Sequence, residues 1–85
     1  MRIFFVCQIK HELFPYNILM NVGAIIKDLR IENHMTQTEL ALLLYISQDT
    51  ISLWERNKSL PDAKSLIKMA NIFKVTTDYI LGLEK

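Results

Sequence analysis

Two helix start signals lie close together in one short stretch, and their spacing constrains the fold more than any other feature of the chain. Thr36 and Glu39 have the spacing of a capping box, in which the Thr hydroxyl accepts from the amide three residues on and the Glu side chain reaches back. Ser47 is the corresponding N-cap residue of the next helix. The helix that Thr36 begins covers Gln37 to Leu44, so residues 45–47 must join two helices that cross steeply.

Apolar residues at helical spacing predict further helices around this pair. The apolar residues within 22–33 line one side of a first helix. Pro61-Asp62 begins a later helix, and Val75-Thr76 begins a short last one. The helix after Ser47 runs to about residue 56. Five short helices on short connections predict an all-α domain over residues 22–85. The side chains expected in its core include Val22, Ile25, Ile26, Leu29, Leu40, Leu44, Ile46, Ile51, Trp54, Leu66, Ile67, Met69, Ala70, Phe73 and Tyr79.

Residues 1–21 have a different character and are interpreted as an N-terminal extension. Residues 2–9 are β-branched and aromatic and favour a strand, for which residues 22–85 offer no partner. A lone strand recruits another chain, which predicts a homodimer through residues 2–10. Alternatively, the extension covers an apolar patch of this chain, the last helix forms the dimer contact, or the natural product begins at Met20.

Composition narrows the class of protein. The net charge is +1, so binding to nucleic acid would depend on local placement of cations and not on a global basic field. The single cysteine, Cys7, excludes an internal disulfide and fits a reducing compartment. No window approaches the roughly 18 apolar residues of a membrane span. We therefore expect a cytoplasmic protein without a membrane partner.

The few reactive side chains favour neither catalysis nor metal binding. Cys7 and His11 lie four residues apart, and His34 is the only other histidine. They do not make a metal site, and nothing brings a nucleophile, a base and an orienting group together. We expect no enzyme activity, no metal, no cofactor and no small-molecule ligand.

Residues 22–82 resemble the phage-repressor and Cro type of helix-turn-helix domain, the Xre-like family, with its five-helix, lambda-repressor-like fold. The resemblance covers about three quarters of the chain, in order and with matching spacing. The matching stretches are Leu29-Arg30, Thr36-Gln37-Thr38-Glu39-Leu40-Ala41, Ile46-Ser47, Thr50-Ile51-Ser52-Leu53-Trp54-Glu55-Arg56, Pro61-Asp62 and Asp78-Tyr79-Ile80-Leu81-Gly82.

The resemblance implies that the helix after Ser47 enters the major groove of double-stranded DNA. Its base-reading positions are Gln48, Asp49 and Leu53. A Gln can pair with adenine, an Asp can accept from cytosine, and a Leu can contact the thymine methyl group.

The resemblance also implies residues that contact DNA phosphates and a pair that stabilises the fold. Phosphate contacts position such a domain without specifying sequence. The pair Arg30 and Glu55 is implied as a structural ion pair. The residues implied to contact phosphates are Gln37, Ser47, Thr50, Arg56 and Lys58.

The chain departs from the family pattern in two ways. Four link positions that often hold glycine hold His34, Tyr45, Asn57 and Lys74. Leu42 and Leu43 replace residues that are usually polar, and with Tyr45 they predict an exposed apolar patch.

The sequence thus predicts a dimeric transcriptional regulator that represses by occupying an operator. Asp49 and Leu53 are not ideal for a groove-facing helix. The alternative is therefore a protein-interaction module, such as an antitoxin-like partner-binding protein, that uses the same fold.

Overall fold

The computed structural model describes residues 21–83, and these form five α-helices. The helices are α1 (Val22–Glu32), α2 (Gln37–Leu44), α3 (Gln48–Glu55), α4 (Ala63–Phe73) and α5 (Thr77–Leu81). The all-α prediction is confirmed, and the described residues contain no strand. The strand predicted at residues 2–9 lies outside them, and the division of the chain at residue 21 stays a prediction.

The core is a single apolar cluster to which every helix contributes. α3 contributes Ile51 and Trp54, as predicted, and the small Ala41 on α2 is also buried in the cluster. Ile25, Ile46, Leu66 and Ala70 lie at the edge of the cluster. The fully buried or nearly buried apolar residues are Val22, Ile26, Leu29, Leu40, Ala41, Leu44, Ile51, Trp54, Met69, Phe73 and Ile80.

Two residues expected in the core lie on the surface instead. Ile67 is 56% exposed and Tyr79 is 41% exposed, so these two predictions were wrong. α4 buries Ser65, Met69 and Phe73, and Ile67 points roughly 200° around the helix from both Ser65 and Met69. In the short α5 only Ile80 is buried, and the neighbouring Tyr79 is rotated about 100° away from it.

The helix starts have the caps that the sequence predicts. The Thr36 hydroxyl accepts from the Glu39 amide at 3.1 Å, and the Glu39 carboxylate accepts from the Thr36 amide at 2.8 Å. The Ser47 hydroxyl accepts from the Thr50 amide at 3.2 Å. These caps satisfy amides that the first turn leaves without a partner, and they set where α2 and α3 begin.

At the start of α4, Asp62 and the buried Ser65 form a polar pair. A hydrogen bond from the Ser65 side chain lowers the pKa of the Asp62 carboxyl below its ordinary value of 3.8.

All five helices end in the same way, with one residue in the left-handed conformation followed by a hydrogen bond that closes the last turn. Gly82 is the only glycine among these five residues, with φ of 81°. The amide that follows each left-handed residue donates to a carbonyl five residues earlier, as Ile46 does to Ala41 at 3.0 Å. The other four left-handed residues are His34, Tyr45, Asn57 and Lys74, with φ between 57° and 61°.

The bulky Tyr45 therefore does not shift the turn between α2 and α3. Its φ of 59° and ψ of 42° are those of an ordinary left-handed cap. The ring gains little burial in compensation, since the residue is 86% exposed and its ring contact is with Lys68 Nζ, 5.0 Å from the ring centroid. A residue with a Cβ in this conformation costs about 1–2 kcal/mol, so the links carry real strain.

Within residues 21–83, none of the helices has the length and apolar character that crossing a bilayer requires.

We expect Lys74→Gly to raise the free energy of unfolding by about 1 kcal/mol, because the release of left-handed strain exceeds the extra chain entropy that glycine loses. The melting temperature should rise by roughly 4–8 °C in a domain of this size. Thermal unfolding followed by circular dichroism measures the change. Lys74→Ala is the matched control, since it removes the same side chain but keeps the Cβ. Equal stabilisation by both variants would contradict this explanation.

Candidate nucleic-acid interface

One face of α3 is buried in the core, and the opposite face is exposed to solvent. Ile51 and Trp54 are buried on one side of the helix. Gln48 and Asp49 are exposed in its first turn, and Leu53, 38% exposed, follows one turn later. The structure therefore brings the three predicted base-reading residues together on one accessible surface.

A close contact between the start of α1 and the end of α3 fixes the position of α3. The Gly23 amide donates to Asn57 Oδ1 at 3.0 Å. A Cβ at Gly23 would lie 2.5 Å from the Trp54 carbonyl oxygen and 2.8 Å from that of Glu55. Both neighbours are backbone atoms, so only glycine fits here without moving a helix. This contact was not predicted from the sequence, although a glycine inside an apolar helical stripe signals a packing constraint.

Arg30 on α1 and Glu55 on α3 form a two-pronged ion pair. Arg30 Nε donates to Glu55 Oε2 at 2.7 Å, and Nη2 donates to Oε1 at 3.1 Å. Arg30 Nη1 also donates to the Met35 carbonyl at 2.8 Å. The two side chains are only 12% and 4% exposed, so solvent screens this pair weakly.

Two glutamines extend this pair to the exposed surface. Gln37 Nε2 donates to Glu55 Oε1 at 3.0 Å, and Gln48 Nε2 donates to Gln37 Oε1 at 3.0 Å. Since a carboxylate only accepts, the amide orientation of Gln37 is fixed, and its oxygen must face Gln48. The predicted phosphate residue Gln37 and the predicted base-reading residue Gln48 are thus in direct contact. Their spacing in the sequence did not predict this contact.

The remaining predicted phosphate residues lie at the two ends of α3. Ser47 and Thr50 share a hydrogen bond of 2.9 Å between their hydroxyls at the N-terminal end. Arg56 and Lys58 are exposed at and beyond the C-terminal end. An anion on this surface would therefore meet helix amides at one end of α3 and two cations at the other.

The predicted apolar patch is present at the end of α2. Leu42 is 70% exposed, and Leu43 and Tyr45 are also exposed. An open depression beside them is lined by His34, Met35, Glu39, Leu42 and Leu43. None of these residues is among those predicted to contact DNA.

α3 has one buried face and one exposed polar face, and a short turn joins it to α2, which packs against it. This arrangement defines the helix-turn-helix class of domain. The family described as "Helix-turn-helix" matches residues 26–80, which are more than half of the chain. The chain belongs to this family, which confirms the resemblance to phage-repressor and Xre-type domains.

Several curated proteins are similar to a large part of the chain. The HTH-type transcriptional regulator ImmR of Bacillus subtilis (strain 168) is 36% identical over 66 residues, which cover 78% of this chain and 52% of ImmR. The HTH-type transcriptional activator BcrR of Enterococcus faecalis is 38% identical over 60 residues, which cover 71% of this chain and 29% of BcrR. The ImmF control region 10 kDa protein of Bacillus phage phi105 is 39% identical over 62 residues, covering 65% of this chain and 69% of that protein.

This chain spans about half the length of ImmR and less than a third of BcrR. A further similarity, to the Type II methyltransferase M.Sau96I of Staphylococcus aureus, covers only 14% of that enzyme and carries no argument for methyl transfer. No solved structure matches the chain significantly. The family and these relatives support DNA-binding transcription regulation as the class of function.

We expect Arg30→Met to lower the free energy of unfolding by about 3–5 kcal/mol, because it leaves the buried Glu55 carboxylate without its cation. The double variant Arg30→Met with Glu55→Met should lose less than the single variant, since no unpaired charge remains. Urea unfolding of the wild type, both single variants and the double variant measures the coupling. Losses that simply add would show that the ion pair contributes nothing of its own.

Proposed function

We propose that this protein is a sequence-specific regulator of transcription that binds double-stranded DNA with α3 in the major groove. The observation that carries the proposal is the exposed face of α3, with Gln48, Asp49 and Leu53 held outward by the buried Ile51 and Trp54. A helix in the major groove reads bases through its outward side chains near its N-terminal end.

Each base-reading residue has a matching chemistry. The amide of Gln48 suits the N6 and N7 atoms of adenine, and the carboxylate of Asp49 suits the N4 amino group of cytosine. Leu53, partly exposed one turn later, suits the methyl group of thymine. The contact with Gln37 holds the Gln48 amide in place before DNA arrives, which reduces the ordering cost of binding.

Phosphate contacts are proposed for the residues around both ends of α3. Gln37 has a second hydrogen on Nε2 beyond the one that it donates to Glu55. The hydroxyls of Ser47 and Thr50 lie beside the amides of the first turn. Arg56 and Lys58 supply the positive charge, which explains how a chain of net charge +1 could bind a polyanion.

We infer repression as the mode of regulation, since occupying an operator requires no surface beyond the DNA-binding face. A cytoplasmic location is part of the same proposal. It further includes a homodimer, because domains of this architecture read two half-sites about one helical turn apart. The candidate dimer contacts are residues 2–10, which lie outside the described residues, and the end of α5, where Leu81 is partly exposed and Leu83 is exposed but Ile80 is buried.

A protein-interaction module is the second candidate function. The exposed Leu42, Leu43 and Tyr45 favour it, because contiguous apolar surface often marks a protein contact. A module that binds only protein would show no affinity for duplex DNA at any salt concentration.

The DNA proposal predicts a distinct effect for each kind of residue. After selection of bound sequences from a random duplex pool, Gln48→Ala should lose about 1–3 kcal/mol of discrimination at one base pair. Lys58→Ala should weaken binding to all sequences alike and reduce the slope of affinity against salt by about 1. Asn71→Ala, on the exposed surface of α4, is the control and should change neither. An exchange of the two effects would contradict the assigned roles.

The dimer proposal is tested by solution mass. Sedimentation should give a dimer for the full chain and a monomer for a chain that begins at Met20, if residues 2–10 form the contact. The shorter chain keeps every core residue described above. A dimer in both would locate the contact within the helical domain. A monomeric full chain would show that the dimer proposal is wrong.

A further inference from the structure

The side chain of Arg56 turns back along α3 and does not extend past the end of the helix. Arg56 is the C-cap residue of α3. Its Nε lies 3.2 Å from the Ser52 hydroxyl and 3.3 Å from the Ser52 carbonyl, both one turn earlier. The guanidinium is therefore anchored at Nε above the preceding turn.

That turn belongs to the outward face of α3. Asp49, Ser52, Leu53 and Arg56 follow one another at spacings that place them on one side of a helix. Ile51 and Trp54 occupy the opposite, buried side. By folding back one turn, the guanidinium reaches the level of Leu53, which is one of the proposed base-reading residues.

The anchoring leaves a specific set of donors. Nε is engaged by Ser52, so Nη1 and Nη2 remain as the fork of the guanidinium. The O6 and N7 atoms of guanine accept a two-pronged contact from Arg in the major groove. The Glu55 carboxylate does not compete for the Arg56 guanidinium, because it already accepts hydrogen bonds from Arg30 and Gln37.

We propose that Arg56 reads a guanine base in addition to supplying charge to the interface, and that Ser52 is the residue that positions it. This inference rests on the proposed DNA binding and extends the base-reading surface of α3 by one turn. A phosphate contact alone would carry no sequence information, which makes the two roles separable by experiment.

The decisive variant is Arg56→Lys, because it keeps the positive charge but removes the planar fork. The sequence selected by the wild type from a random duplex pool is used as the reference duplex. A panel of duplexes then replaces each base pair in turn, and the affinity of each variant is measured. Arg56→Lys should lose roughly 5- to 150-fold discrimination at one G·C pair, while the salt slope stays that of the wild type.

Ser52 has its own pair of variants. Ser52→Ala should reduce discrimination at the same G·C pair by roughly 2- to 10-fold and leave the other positions unchanged. Ser52→Thr keeps the hydroxyl and should restore the wild-type preference. Unchanged melting curves for Ser52→Ala and Ser52→Thr establish that neither variant acts by unfolding the domain.

Any one of the following results would overturn the inference or part of it. If Arg56→Lys discriminates as the wild type does, or if Arg56→Ala weakens the whole panel evenly, Arg56 contacts only phosphate. If Ser52→Ala leaves the preference intact, Ser52 does not position Arg56. If the wild type selects no duplex, the proposed function fails, and this inference fails with it.

Discussion

The ion pair between Arg30 and Glu55 is the contact on which the orientation of α3 depends. It joins α1 to α3 through two hydrogen bonds, and Arg30 also holds the carbonyl of Met35 just before α2. One guanidinium thus links α1 to α3 and to the turn before α2. Because the pair is nearly buried, its geometry is costly to change, and α3 presents a fixed surface to the DNA that we propose it binds.

Hydrogen bonds between polar side chains connect this ion pair to the exposed surface of α3. Glu55 accepts from Gln37, and Gln37 accepts from Gln48, so an exposed amide is linked to a buried carboxylate by two hydrogen bonds. Such chains polarise one another and hold their members in place. The stability of the domain and the position of its proposed base-reading residue therefore depend on the same network.

The sequence predicted the helices well, because helix starts are local. Thr36, Glu39 and Ser47 act on amides within one turn, so their spacing alone revealed α2 and α3. Contacts between helices were harder to foresee, and the fit of Gly23 against the end of α3 depends on how α1 crosses it. Ile67 was misassigned because an apolar residue at approximate helical spacing can still point outward when the helix axis is set by neighbouring helices.

Trp54 gives the domain a fluorescent reporter on the buried side of α3, opposite the proposed DNA-binding face. It is the single tryptophan of the chain, and it lies buried beside the Gly23 contact. Its emission should therefore shift to longer wavelength when α1 and α3 separate and water reaches the indole. A ligand on the outer face would leave the emission wavelength of Trp54 unchanged. Loss of folding and loss of binding can therefore be distinguished in the same sample without an added label.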